Sequence, residues 1–523
     1  MVIKMFSLSG LKILRPLAGK LSVRISMQLL AAWIAVPFFY YGFVLGATFW
    51  IDGFCYSGLA AALRDPNLFR EFNSGWGKLS LGHLQPGIPA LCWMLDHFPD
   101  NIQWPILTIL QRTVAFAAVL WCCLEACNYR PTVAVLVLAG FFVWNPFYQS
   151  FHNALLTESL NSSLLLFAVA ISFLIIRRKS LPNIGAISIA AGCLTIVLIT
   201  NIRSYYGLAC FLMLMVSCLS LLKKKKWILI SIFSITFAFA AIAYPTLRWI
   251  FIKDWYLPTN DTGYMLMTAW SSIAGGPSFE KVLKTLPKSA RAKAKKLGSP
   301  GQAMDYNEAR LLAECLLEEG ATPNQVSLTF RSLTKALNTD NENLFEARVR
   351  KALITSGFIE LGLIHFGAAP VLHRSWESNK CAAHIRGMYL YHAWYSNAKD
   401  YSSFFVDKRN TFVATAEGQY WFRKTHGSYV KNKIPKSMGD PFRVALIPFD
   451  VWALTGIGSM LYLIGFRYDL RGIVLIIPLV INFVVMFTVP LGNPRYAHSL
   501  LAVYFMAAIT AITTGKFQKS YSE

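Results

Sequence analysis

Charge is scarce in this chain, and acid is the scarcer half of it. Of 523 residues only 27 are Asp or Glu, and charged residues together reach 15%. Soluble chains usually carry charge on about a quarter of their residues, so a water-soluble globular fold does not account for the whole chain. The ten cysteines show neither CxxC spacing nor a disulfide framework. Several fall inside apolar runs (Cys122, Cys123, Cys193, Cys210, Cys218). Cys315 and Cys381 share one long polar stretch, where pairing stays open. There is no internal repeat, low-complexity tract or heptad pattern. No small-residue cleavage site follows the first apolar run, and Lys4, Lys12, Arg15, Lys20 and Arg24 precede it. That run is expected to be an uncleaved signal anchor.

What is present is apolar surface: 55% of the residues are hydrophobic and 14% aromatic. Runs of roughly 17 to 25 apolar residues recur, each long enough to cross about 30 Å of hydrocarbon. The spans are expected at 27–50, 104–124, 131–147, 159–176, 183–201, 205–222, 227–249, 443–465, 471–490 and 496–514. The expected fold class is thus an all-α polytopic membrane protein with about ten transmembrane helices. The net charge of +23 is largely a matter of topology. Cationic clusters at Arg177-Arg178-Lys179, Lys223 to Lys226, and Lys516 with Lys519 separate apolar runs. With both termini cytoplasmic, all of them fall on the cytoplasmic side, as the positive-inside rule requires. So many spans exclude a nucleic-acid binder.

Three regions follow: a transmembrane module at 1–250, a large external loop at 251–442 and C-terminal transmembrane helices at 443–523. The first external loop, 51–103, holds amphipathic pieces with Trp76 and Trp93, and Trp104 follows. Such aromatics favour the headgroup layer, so interfacial helices are expected there. The large loop has helix-like stretches near 303–319, 325–337 and 343–356. It carries 25 Lys and Arg against 17 Asp and Glu. That excess suits anionic lipid heads or an acidic glycan, or simply a soluble surface. The segment 354–372 is apolar, but Glu360, His365 and its marginal length favour an interfacial position. His384 and His392 lack metal-ligand spacing, so zinc is discounted.

Most of the unusual polar groups gather on the expected outer face. Asp52 follows the first span in ATFWIDGFCYSGLAAAL, and His83 lies in GHLQPGIPAL. Arg112 sits a third of the way into the second span. Asn145, His152 and Glu158 occupy NPFYQSFHNALLTES, Arg203 lies in ITNIRSYYG, and Arg495, Tyr496 and His498 lie in GNPRYAHSL. Charges at membrane depth are expensive and need a partner or a ligand. One reaction class needs a carboxylate to take a proton and cations to hold a departing phosphate, at the edge of a bilayer that keeps the lipid tail. It is sugar transfer from a polyprenyl phosphate. Arg suits the phosphate because its planar fork makes paired hydrogen bonds.

The pattern resembles the bacterial GT-C glycosyltransferases. Asp52, Tyr56 and Ala60 match an acid-led D-x-x-x-Y-x-x-x-A element after the first span. His83-Leu84-Gln85-Pro86-Gly87 is similar to H-x-P-P-G, with Gln in place of the first Pro. Thr157-Glu158-Ser159 resembles the T-E-S step, and Arg203 and Arg495-Tyr496 resemble the family's late Arg positions. The likeness covers roughly 26–250 and 440–515.

The resemblance implies a GT-C-like fold in the bacterial inner membrane. It also implies an undecaprenyl-phosphate-linked sugar donor and a cell-envelope glycan or lipid acceptor, such as an O-antigen precursor, on the periplasmic face. Asp52 would be the base, with Arg203, Arg495, Arg112 and Tyr496 on the donor phosphate or lipid. His83, Glu158, Tyr56 and His152 would contact substrate. Gly53 follows Asp52, so the paired acids by which several members hold a metal are missing. A divalent cation (Mg or Mn) shared by Asp52 and Glu158 stays open.

Other readings stay open beside these. Arg203 and Arg495 as snorkelling residues, Arg112 as a buried partner of Glu158 or Asp52, and Glu158 as a helix-dipole acid fit the same residues. Two rival functions are a lipid-linked sugar flippase and an O-antigen polymerase or ligase using Arg374, His384 and Arg386 of the large loop.

Overall fold

In the computed structural model, helices alone make up the secondary structure of the described residues. Those residues are 23–45, 56, 60, 85–95, 97–98, 100–145, 148–149, 151–153, 157–178, 186–221, 223–252, 255, 274–297, 306–342, 449–488 and 497–517. The first part contains α1 (Val23–Leu45), α2 (Gly87–Leu95), α3 (Asp100–Ala126), α4 (Val133–Val143), α5 (Thr157–Arg178), α6 (Ala186–Ile202), α7 (Ser204–Cys218) and α8 (Lys223–Ile252). Four further helices are α9 (Pro277–Thr285), α10 (Lys288–Leu297), α11 (Tyr306–Glu318) and α12 (Pro323–Asp340). The chain closes with α13 (Phe449–Gly465), α14 (Leu470–Thr488) and α15 (Ala497–Phe517).

This is a helical membrane protein. Among the described residues four helices are long and apolar enough to cross a bilayer, over Val23–Tyr40, Ile106–Ala126, Thr157–Arg177 and Lys226–Leu247. Shorter apolar stretches, Val133–Val143, Ala186–Ile202, Ser204–Cys218, Val451–Gly465, Leu470–Val485 and His498–Thr514, overlap the other expected spans. Apolar side chains point outward as well as inward: Ile187, Ile235 and Phe239 are exposed while Phe233 and Leu229 are buried. A helix apolar all round belongs in lipid or in a large core. Pro37, Pro245 and Pro478 sit inside helices, a tolerance common to membrane helices.

One core unites α1 and α3–α8 with α13–α15. α5 is its central helix and the most buried of the four long ones. Close approach needs glycine at two points. A Cβ on Gly456 of α13 would lie 2.6 Å from the Tyr504 Cα of α15. One on Gly207 of α7 would lie 2.8 Å from the Thr200 Cα of α6.

Polar knots fix which helix ends meet. Arg177 at the end of α5 pairs with Glu125 at the end of α3 at 2.9 Å, and Tyr129 donates to the same carboxylate at 2.9 Å. Thr513 of α15 donates to the Ala126 carbonyl at 2.9 Å. Arg467 and Arg471, at the α13–α14 turn, donate to the Thr514 carbonyl (2.8 Å) and Oγ1 (3.0 Å). The C-termini of α3, α5, α13 and α15 therefore share one end of the bundle with the N-terminus of α14.

Helices α9–α12 are amphipathic and build a second, smaller core around Phe279, Leu283, Leu312, Phe330 and Leu337. Asp340 at the end of α12 accepts from the backbone N–H groups of Gly276 (2.9 Å), Ser278 (3.0 Å) and Phe279 (2.9 Å), closing the start of α9. Partial burial works against its ionisation, and these hydrogen bonds prevail, holding the carboxyl below its usual range. Thr322 and Gln325 form a reciprocal capping box on α12. The expected helices at 303–319 and 325–337 correspond to α11 and α12, whereas α9 and α10 were not read from the sequence. Cys315 is buried in this core, and the Cys315–Cys381 pairing left open above falls on a residue outside the described ones. Cys381, Trp76, 343–356, 354–372, Arg374, His384, Arg386 and His392 lie outside the described residues.

Candidate functional site

The bundle end opposite the Glu125–Arg177 knot collects buried polar side chains from several helix termini. Glu158 lies in the first turn of α5, where the helix dipole favours an acid. Between α6 and α7 the chain opens at Arg203, which takes an extended conformation (φ −151°, ψ 108°). That single break turns the Arg203 side chain onto the start of α5. Its Nη2 meets Glu158 Oε1 at 3.0 Å, Nε donates to Thr157 Oγ1 at 2.9 Å, and Nη1 donates to the Tyr205 hydroxyl at 2.8 Å. The Glu158 side chain is 3% exposed and that of Arg203 17%. Tyr205 packs on Tyr206, ring centres 4.4 Å apart.

A second group adjoins the first through α5 and α15. His152, in the short 3₁₀ turn Phe151–Asn153, is fully buried, and its Nδ1 lies 2.8 Å from Ser159 Oγ. His498, one residue into α15, bonds through Nε2 to the Tyr148 carbonyl at 3.0 Å and stacks on the Tyr148 ring. It also faces Glu158. The two imidazoles lie 5.8 Å apart, centre to centre. Burial first, then His498 and the Arg112 guanidinium, hold His152 well below the ordinary imidazole range, which keeps it neutral at pH 7.

Arg112 is 2% exposed and ties three elements together. It donates to the Phe38 carbonyl of α1 (2.5 Å), to Gln149 Oε1 (2.8 Å) and to the Gln149 carbonyl (3.2 Å). Gln149 in turn donates to the Val143 carbonyl at 2.7 Å. These bonds anchor the connection between α4 and α5 to α1 and α3, and the expected pairing of Arg112 with Asp52 falls on a residue outside the described ones. Asn145 is buried and accepts from the Tyr148 N–H at 3.3 Å.

The segment between α1 and α3 also reaches this end. Gly87, which closes the His83-Leu84-Gln85-Pro86-Gly87 element, abuts α6 so closely that a Cβ would lie 2.8 Å from the Asn201 carbonyl oxygen. Tyr56 and Ala60 are buried in the main core. Glu158, Arg203, His152, Arg112 and His498 thus share one end of the bundle. Asp52, His83, Arg495 and Tyr496 lie outside the described residues, although Arg495 and Tyr496 directly precede α15. Gln149, Ser159 and Tyr148 were missed as members of this site. Their signal was their position in the same NPFYQSFHNALLTES stretch that supplied Asn145, His152 and Glu158.

Among the described residues no group of three or more His, Cys, Asp and Glu is arranged to hold a metal ion. A cation at Glu158 would compete with Arg203 for the same carboxylate. The chain matches no protein-family model, and neither a curated protein nor a solved structure is significantly similar to it.

Proposed function

We propose that this protein is an inverting, GT-C-like glycosyltransferase of the bacterial inner membrane. In this reading about ten helices span the membrane, both termini are cytoplasmic and the site faces the periplasm. It moves a sugar from undecaprenyl phosphate to a cell-envelope glycan or lipid. The observation that carries the reading is the one-ended network of buried ionic and imidazole groups, Glu158–Arg203 with His498, His152 and Arg112, at the lip of an apolar bundle. A bundle that needed only to be stable gains little from such groups, since apolar replacements are often as stable. A donor with a lipid tail and a phosphate head gives them a purpose.

The chemistry balances with this chain's own groups. The acceptor hydroxyl gives its proton to the Asp52 carboxylate as its oxygen bonds to the anomeric carbon. The bond from that carbon to the phosphate oxygen breaks, and the phosphate takes the electron pair. Arg203 and Arg495 stabilise the charge that grows on it. Attack from the face opposite the leaving group inverts the anomeric centre. Tyr56, His83, Glu158 and His152 orient substrate. No step is routed through a metal, because Glu158 is engaged by Arg203.

Purified wild type and Asp52→Asn in nanodiscs, given radiolabelled polyprenyl-phosphate sugars and extracted envelope acceptors, test this. Wild-type transfer that falls at least about a hundredfold in the variant supports a general base. Equal transfer by both, with Asp52→Asn folded normally, rules out the base. Equal rates with and without EDTA exclude the Asp52–Glu158 cation.

A further inference from the structure

Buried polar groups normally find a hydrogen-bond partner, and each exception calls for a reason. Three carboxamides of the bundle are exceptions. Gln111 of α3 is 0% exposed and Asn161 of α5 1%, and neither the amide nitrogen nor the oxygen of either has a partner among the described residues. Asn482 of α14 lacks one for its nitrogen. All three stand in the half of the bundle away from the Glu125–Arg177 knot. Methionine or leucine would fill the same space without burying a dry amide, so stability does not account for these side chains.

Helix periodicity sets two of them beside the first turns of α5. Gln111, Ala115, Ala118, Cys122 and Glu125 follow one buried stripe of α3 at three- and four-residue spacing. Glu125 at its foot meets Arg177 of α5, and the two helices pack side by side in the same direction. Gln111 and Ser163 both lie fourteen residues above that pair, so the register brings Gln111 to the level of Ser163. The nearby hydroxyls are engaged: Ser163 donates to the Ser159 carbonyl at 2.8 Å, and Ser159 Oγ lies 2.8 Å from His152 Nδ1. Thr108 Oγ1, one turn before Gln111, and His152 Nε2, in a turn packed on both helices, are buried without a partner. Asn161 stands one turn into α5 from Thr157 and Glu158, the two residues that Arg203 holds.

We infer that Gln111 and Asn161 bind the hydroxyls of an uncharged sugar, beside the Arg203–Glu158 pair, and so determine which lipid-linked sugar the protein accepts. The inference rests on the transferase reading and names the substrate class for it. A carboxamide donates at one end and accepts at the other. A sugar hydroxyl does both at once, so one carboxamide matches two neighbouring hydroxyls. A phosphodiester or a carboxylate only accepts, and the carboxamide oxygens would face it with no proton between them. A charged sugar would also find the buried cations engaged, Arg203 by Glu158 and Arg112 by Gln149 and the Phe38 carbonyl. A lipid tail would leave both amides as dry as before.

Thermal unfolding of the full-length protein in nanodiscs, titrated with short polyprenyl-phosphate probes, tests it. The phosphate carries a methyl group, a neutral hexose (glucose, galactose or mannose) or glucuronic acid, so every probe is a phosphodiester. Wild type is expected to bind at least one neutral-hexose probe about tenfold or more tightly than the methyl and glucuronate probes, since sites built to bond hydroxyls discriminate at least that well. Gln111→Met and Asn161→Leu keep the volume and remove the amide. Each should bind the methyl probe as wild type does and lose about tenfold for the hexose probe, the worth of one or two hydrogen bonds. Without a probe both should melt at or above the wild-type temperature, because an apolar group of the same shape replaces a dry amide. Melting more than about 3 °C lower, with hexose binding unchanged, overturns the proposal and makes the amides structural. Should a variant fold poorly, the comparison of probes on wild type decides alone. Hexose binding no tighter than methyl binding overturns the proposal and leaves the donor reading standing. A preference for glucuronate overturns the neutral class. No shift with any probe refutes the donor reading itself, and the inference with it.

Discussion

Replacing Arg203 by leucine isolates the energetics of the site. The substitution removes three bonds, to Glu158, Thr157 and Tyr205. It leaves a carboxylate whose side chain is 3% exposed without its cation. Breaking one partner of a buried pair typically costs about 3–5 kcal/mol, mostly from the orphaned charge. Lost neutral hydrogen bonds cost about 1 kcal/mol each. Arg203→Leu should therefore destabilise the bundle by about 3–5 kcal/mol. Glu158→Leu should cost somewhat less, because Arg203 is more exposed and keeps Thr157 and Tyr205 as acceptors. The double variant should fall short of the sum by about 1.5–3 kcal/mol, the range of coupling between residues in contact. Reversible unfolding of the detergent-solubilised protein, followed by tryptophan fluorescence, measures all three. A loss under about 1 kcal/mol for Arg203→Leu, with additive single effects, would refute a tight buried pair.

Other outcomes follow from individual contacts. Gly456→Ala places a methyl 2.6 Å from the Tyr504 Cα and should cost about 1–3 kcal/mol by forcing α13 from α15. The control Gly458→Ala meets nothing within 4 Å and should be neutral or slightly stabilising in the same unfolding assay. His152 has a depressed folded-state pKa, so its stabilisation is complete above the unfolded value near 6.5 and lost as pH falls below it. His152→Phe should flatten the decline in thermal stability between about pH 6.5 and 5 relative to wild type. Unchanged slopes would contradict a neutral buried ring. Asp340, a depressed carboxyl, contributes above its unfolded value near 4 and ceases to as pH falls through the lower folded one. Asp340→Ala should speed amide exchange at the start of α9 at pH 7 without disturbing the bundle. Glu125→Leu orphans Arg177 and should cost about 3 kcal/mol or less, since that guanidinium is a third exposed.

The elements that were legible in the sequence are those governed by local composition. Each expected apolar stretch overlaps an apolar helix, and among the described residues four of those helices are long enough to cross a bilayer. Glu158 and Arg203 were visible as costly charges at span ends. The α9–α10 hairpin escaped notice because α10, KSARAKAKKL, reads as a charge run. Its alanines become a core stripe only when α11 and α12 cover them. Glu125 was overlooked as well, although an acid at the end of a span opposite a basic cluster was the available clue.

By itself the sequence determined the apolar helices, the helix-like stretches near 303–319 and 325–337, and the residues too polar to be idle. Tertiary structure alone decided which of those residues meet. Arg203 reaches Glu158, 45 positions away, because the backbone breaks between α6 and α7. Arg112 turns to Phe38 and Gln149 rather than to Glu158 because α1 and the α4–α5 connection pass its side chain. Hydrophobicity is additive along a chain and can be read residue by residue. A hydrogen bond depends on two groups arriving within about 3 Å of each other, and only the packing of the whole bundle sets that distance.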